Sequence, residues 1–193
     1  MLSFKQFLSE APKSKGVVVA FGRMNPPTIG HKKLMEKIVS VAKQEGAEAK
    51  LYLSHSVDSK KNPLDYKEKL DFVRKIGVKD LEVVESPLHT IYQVVESLGH
   101  EGYERVWVVC GSDRIAAFQS MKKYAERWNI KTIEIVSSGE RDEGNNDISG
   151  ASATKMRNAA ANNDRKTFDK IAGVQPKYKD ELWKAVRKGM NLE

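Results

Sequence analysis

Five short apolar runs, each followed by a longer stretch of helical period, leave few folds open to this chain. Val17–Val19, Lys50–Ser54, Leu81–Val84, Arg105–Cys110 and Thr132–Val136 read as strands, being short, rich in aliphatic residues and bounded by polar or glycine-bearing turns. A helix is expected to begin near Gly30, where Leu34, Ile38, Val41 and Ala42 recur at helical spacing, and others over Asp65–Ile76, Thr90–Leu98 and Ile115–Trp128. Strand and helix taking turns predict parallel β-α-β units with right-handed crossovers. The expected architecture is α/β: a Rossmann-like five-stranded parallel sheet with helices on both faces and a C-terminal helical extension. Ligands of such a sheet sit beyond the carboxyl ends of the strands, where strand order reverses. The loops after the first, fourth and fifth strands are therefore expected to meet there.

At 193 residues the chain suits one α/β domain. It divides into an N-terminal amphipathic segment (1–14), the main domain (15–176) and a basic helix (177–193) packed on it. Phe4, Phe7 and Leu8 give the opening one apolar face, suited to docking on the domain or on a partner, and Lys5 and Glu10 interrupt any signal-peptide pattern. The 33 basic against 26 acidic residues leave a charge of +7, which suits anionic ligands. Nucleic acid is not expected as a partner, because the basic residues are dispersed and no aromatic residues interleave them. The lone Cys110 excludes an intrachain disulfide and a multi-cysteine zinc site, reads as a core thiol, and makes a reducing cytoplasm the default. Four scattered histidines add no metal spacing, and no apolar run reaches the roughly 18 residues of a membrane span. Ser137–Gly150 is a long polar, glycine-rich loop, expected to act as an active-site flap.

Two segments carry chemistry. In Val17–His31, VVVAFGRMNPPTIGH, a buried strand runs into a turn and then into a helix whose first turn holds His31. Backbone N–H groups point outward there and the helix dipole favours negative charge, so the imidazole stands at an anion site. In Ala151–Arg157, ASATKMR, Ser152 is a natural N-cap, Thr154 lies in the first turn and Arg157 supplies a planar cationic fork. Taken singly, each has an ordinary reading, a solvated cap in one case and a capped helix with a surface arginine in the other. Together on one sheet edge they describe a triphosphate site.

FGRMNPPTIGH resembles the GxFxPxxxGH segment of the nucleotidyltransferase superfamily, which includes nicotinamide-mononucleotide adenylyltransferase, pantetheine-phosphate adenylyltransferase and glycerol-3-phosphate cytidylyltransferase. ASATKMR resembles that superfamily's ISxTxxR motif. Three positions depart from the pattern: Thr28 stands where His is common, Met24 where Phe is common and Ala151 where Ile or Val is common. Gly111-Ser112-Asp113 resembles the Gly-x-Asp turn of the adenylyltransferases. Ser59–Leu64 and Ile91-Tyr92 are similar to segments of archaeal-type nicotinamide-mononucleotide adenylyltransferases, and the opening MLSFKQFLSE resembles those of large tailed-phage proteins.

The resemblance implies transfer of the NMP moiety of an NTP, AMP from ATP above all, to a phosphate-bearing acceptor, nicotinamide or nicotinate mononucleotide, with release of pyrophosphate. Mg²⁺ is expected to escort the triphosphate, with no metal ligands of the protein's own, and a homo-oligomer is left open. It further implies that His31, Thr28 and Arg157 are catalytic, His31 bridging α- and β-phosphate oxygens. The nucleotide is expected at Gly22, Arg23, Met24, Asn25, Pro26, Gly30, Ser152 and Thr154, with Gly22 letting the strand turn and Gly30 allowing close approach. Lys60, Lys61, Tyr92, Gly111 and Asp113 are expected around the acceptor, the lysines on its phosphate and the tyrosine under its ring. The setting implied is the cytoplasm, that of a host if the chain is phage-encoded. The first alternative is a cytidylyltransferase acting on a polyol or sugar phosphate, although the longer Arg-Thr-x-Gly-x-Ser-Thr form of that branch is missing. A second, of another class, is a phage structural protein that keeps the fold. P-loop, GxGxxG and GxSxG signatures are absent.

Overall fold

The computed structural model describes residues 14–139 and 152–192. The amphipathic opening, most of the polar loop at 137–150 and Ala151 fall outside these residues.

The sheet has five parallel strands: β1 (Gly16–Gly22), β2 (Glu48–Leu53), β3 (Glu82–Val84), β4 (Arg105–Cys110) and β5 (Thr132–Ser137). Their spatial order is β3-β2-β1-β4-β5, so the order reverses between β1 and β4, as the alternation of elements predicts. Central β1 is buried on both faces, and side-chain alternation divides it between two cores. Val18 and Ala20 face α1 (Ile29–Glu45), α2 (Tyr66–Arg74) and the C-terminal helices, whereas Val17 and Val19 face α3 (Ile91–His100) and the β4–β5 crossover.

Each of the first three crossover helices begins with a reciprocal capping box: Thr28 with His31, Asp65 with Glu68, Thr90 with Gln93. The N-cap and the third helical residue satisfy each other's backbone donors, which fixes where each helix leaves its loop. Gly46, at φ 61, ends α1 in the left-handed conformation that costs glycine nothing.

The single helix expected over Ile115–Trp128 is broken. A short 3₁₀ turn (Ser112–Arg114) leads into α4 (Ile115–Gln119), and a second 3₁₀ stretch follows (Ser120–Tyr124). Ser120 Oγ donates back to the Ala117 carbonyl at 3.0 Å, a local bond that competes with helical continuation. Met121 and Trp128 then fill the second core.

Beyond the polar loop lie α5 (Ala153–Ala161), α6 (Arg165–Ile171), a 3₁₀ turn (Pro176–Tyr178) and α7 (Lys179–Gly189). The last helix packs on the domain, and its Leu182, Trp183 and Val186 belong to the same core as Val18 and Met35. Trp183 meets Phe168 of α6 edge-on at 4.9 Å. Among the described residues, no helix is long and apolar enough to cross a membrane.

Candidate active site

At the switch point, the turn Arg23–Thr28 leaves β1 and is held from three sides. Asn25 is buried, its Nδ2 donating to the Leu64 carbonyl at 2.8 Å and its Oδ1 accepting from Leu64 N–H at 3.0 Å. The β1–α1 turn is thereby tied to the β2–α2 loop. From below, Gly173 N–H donates to the Pro27 carbonyl at 3.2 Å, and a Cβ on Gly173 would stand 2.4 Å from the Thr28 carbonyl oxygen. Only glycine allows that approach. The third tie is Arg157 of α5, whose Nη1 donates to the Asn25 carbonyl at 2.8 Å while Nη2 donates to Thr154 Oγ1 at 3.0 Å. Two motifs 132 residues apart thus share one guanidinium.

His31 is oriented by the cap itself. Its Nδ1 accepts from the Thr28 N–H at 2.9 Å, with Thr28 Oγ1 3.1 Å away. An Nδ1 that accepts leaves Nε2 as the protonated nitrogen of the neutral ring, so His31 is set as an N–H donor through Nε2. Thr28 itself is buried, and its first task is to cap α1 and fix this tautomer. Gly30 is exposed in the first turn of α1, beside His31. Gly22 was expected to turn the chain, but the left-handed residue is Met24, at φ 43 and buried. A buried methionine in that region stores backbone strain, which tertiary packing holds in place at the mouth of the site. Met24 and Asn25 therefore offer a ligand main chain more than side chain.

Ser152 caps α5 by accepting from the Lys155 N–H at 3.0 Å, as expected. Arg157 is half-buried and its proton affinity is lowered, first by burial and then by the field of Arg23, while Asp58 acts in the opposite direction. Arg23 is exposed. Two guanidiniums that feel each other's field make this edge of the sheet electropositive.

Lys60 and Lys61 sit on an exposed turn after β2. Gly111 precedes the 3₁₀ turn after β4, in which Asp113 is half-exposed and pairs with Arg114 at 3.7 Å. Cys110, just before it, is buried, and burial pushes its thiol pKa up, with Asp113 adding to the effect. That is the inert core thiol expected from the sequence.

Tyr92, expected under the ring of the acceptor, packs against the second core instead. It shares a 2.6 Å hydrogen bond with Ser120 Oγ and meets Trp128 and Tyr124 edge-on at 6.2 and 6.3 Å. Its ring is engaged because it begins α3, on the sheet face opposite α1 and α5.

A cluster that the sequence reading passed over lies on the loops after β2 and β3 instead. His55 stacks on Tyr66 with ring centroids 3.9 Å apart, His89 tilts against His55 at 4.6 Å, and Ser86 ties the group together through His55 Nε2 and Tyr66 Oη. The sequence signal was a histidine just past each of the second and third strands, at the carboxyl edge where ligands bind.

No curated protein matches the sequence. Among solved structures, the chain is similar to a Vibrio parahaemolyticus protein assigned by name to the nicotinate-nucleotide adenylyltransferases: TM-score 0.57, 21% identity, covering 93% of this chain and 96% of that one. At this identity the likeness speaks for the fold. A family model described as cytidylyltransferase-like matches residues 19–159, a span that runs from the middle of β1 through the arginine of α5 and so contains the starts of both α1 and α5. The chain therefore belongs to the cytidylyltransferase-like family, within the nucleotidyltransferase superfamily.

Proposed function

We propose that the protein transfers AMP from ATP to the phosphate of nicotinamide or nicotinate mononucleotide, releasing pyrophosphate. The observation that carries this reading is the Arg157 guanidinium, which joins the α5 start to the β1–α1 turn within the field of Arg23. A triphosphate laid across the two helix N-termini meets that pair of cations, the outward N–H groups of α1 and α5, and His31 Nε2–H.

In the reaction an oxygen of the acceptor phosphate attacks the α-phosphorus. The new P–O bond forms as the bond from the α-phosphorus to the bridging oxygen breaks, and pyrophosphate leaves with that electron pair. The attacking oxygen is already ionised near neutral pH, so no strong base is needed. His31 donates to the phosphate oxygens as charge builds, and Arg157 neutralises the leaving group. A Mg²⁺ that arrives with ATP is expected to keep phosphate oxygens and water as ligands, as this small cation prefers.

ATP over CTP is supported by the Gly111-Ser112-Asp113 turn and by the named function of the Vibrio parahaemolyticus protein with the same fold. For the acceptor, the flat partner is the His55–Tyr66–His89 group in place of Tyr92, with Lys60 and Lys61 on the neighbouring turn for its phosphate. A pyrophosphate-release screen tests the proposal, with ATP or CTP against mononucleotides, pantetheine phosphate, glycerol phosphate and sugar phosphates. Turnover with ATP and a pyridine mononucleotide is expected. Turnover with CTP and a polyol or sugar phosphate would move the protein to the cytidylyl branch, and silence across the panel would favour a structural role.

A further inference from the structure

The turn between β2 and α2 is closed by one carboxylate. Asp58 Oδ1 accepts from the backbone N–H groups of Lys60 at 3.0 Å and Lys61 at 2.6 Å, and Oδ2 accepts from Asn62 Nδ2 at 2.5 Å. Asp58 and Asn62 also exchange both of their backbone bonds, at 3.0 and 3.1 Å. Residues 56–61 are exposed throughout, so packing does not place the two lysines; the Asp58 carboxylate does. These same bonds hold the Asp58 carboxyl below its ordinary pKa.

We propose that Asp58 is a positioning residue: its oxygens hold the Lys60–Lys61 turn in the form that receives the acceptor's anionic group. The inference takes the name of that ligand from the nucleotidyl-transfer reading, but its structural consequence does not depend on it. Order in the turn requires an accepting oxygen at this position.

Two substitutions test this. Asp58→Asn keeps a carbonyl oxygen for the Lys60 and Lys61 N–H groups, while Asp58→Ala removes it. The acceptor KM is expected to rise about tenfold in Asp58→Ala, through loss of the hydrogen bonds that order the turn, and to stay near wild type in Asp58→Asn, with kcat little changed in both. Amide hydrogen exchange at Lys60 and Lys61, followed by NMR at mildly acidic pH, is expected to be slow in the wild type and Asp58→Asn and fast in Asp58→Ala. Exchange unchanged in Asp58→Ala, or an acceptor KM unchanged in it, overturns the inference. Should no acceptor turn over, the exchange pattern still decides whether Asp58 orders the turn, and the failure falls on the proposed reaction alone.

Discussion

His31 shows how a side chain's role is set by the bonds its backbone neighbours make. Because Thr28 N–H donates to Nδ1, the ring carries its proton on Nε2, and in the proposed reaction a donor there gains most in the transition state. His31→Ala is therefore expected to lower kcat by about 10²–10³-fold while shifting ATP affinity only a few-fold. Stopped-flow turnover and ATP titration on the same preparation check this, and near-normal turnover would remove His31 from the mechanism. Lys69 makes the opposite point. Its side chain is wholly buried, its ammonium donates to the Ser54 carbonyl, and burial, partly opposed by Asp65, brings its pKa from 10.5 down to about 8. Between those two values the unfolded chain holds a proton that the folded one releases, so this group's contribution to stability rises with pH from about 8 to about 10.5. Below about 8 the full cost of the buried charge is present, at most about 3 kcal/mol for a shift of this size. Lys69→Met should stabilise the protein near pH 7 by less than that, since the Ser54 carbonyl loses its partner at about 1–3 kcal/mol. The advantage of the variant is expected to shrink as pH climbs to 10. Parallel melting temperatures across that range would contradict the account.

At the scale of elements, the site depends on how α5 docks. Ser152 starts the helix and Arg157, one turn on, anchors it to the β1–α1 turn with one arm and to Thr154 with the other. A lysine at 157 carries the charge but lacks the planar fork, so it reaches one acceptor and leaves the other unmet. Arg157→Lys is expected to retain the helical circular-dichroism signal and the fold while losing about 10²-fold in kcat. Activity close to wild type would mean that charge alone suffices there. Asn25 plays the corresponding part for the β2–α2 loop, and both of its side-chain bonds are buried. Asn25→Ala leaves the Leu64 N–H and C=O without partners, at about 1–3 kcal/mol for each group, and a clear fall in melting temperature is expected. An unchanged melting curve would show that the two loops are not held by this pair.

For the whole molecule, the sheet separates two cores. One face bears α1, α2 and α5 to α7, which carry the candidate site, and the other bears α3 and the β4–β5 crossover. Gly99 lies in the second, where an added Cβ would stand 1.9 Å from the Trp128 carbonyl oxygen and 3.0 Å from Ile130 Cγ1. A backbone atom cannot yield as a side-chain tip does, so Gly99→Ala is expected to cost about 1–3 kcal/mol through overpacking. ATP affinity, measured well below the melting temperature, should stay within twofold of wild type, since the site rests on the opposite face. A matching loss of affinity would show the two cores to be coupled across the sheet.

The sequence alone determined the periods: aliphatic runs that only a sheet buried on both faces accommodates, helical repeats between them, and cap residues that mark where helices start. These are local properties, set by side-chain spacing and backbone donors within a few residues, which is why the helix starts at His31 and Ser152 were legible. Contacts across long separations were not. The guanidinium of Arg157 on the Asn25 carbonyl spans 132 residues, and the Asn25–Leu64 pair spans 39. Neither leaves a trace in composition or spacing, because each arises when crossovers bring loops together at one strand edge. For the same reason Tyr92, read as a partner for a ligand ring, belongs to the second core, while His55, Tyr66 and His89 gather at the carboxyl edge of β2 and β3. Local sequence decided where the helices start and which residues cap them, and tertiary packing decided which loops meet at one strand edge.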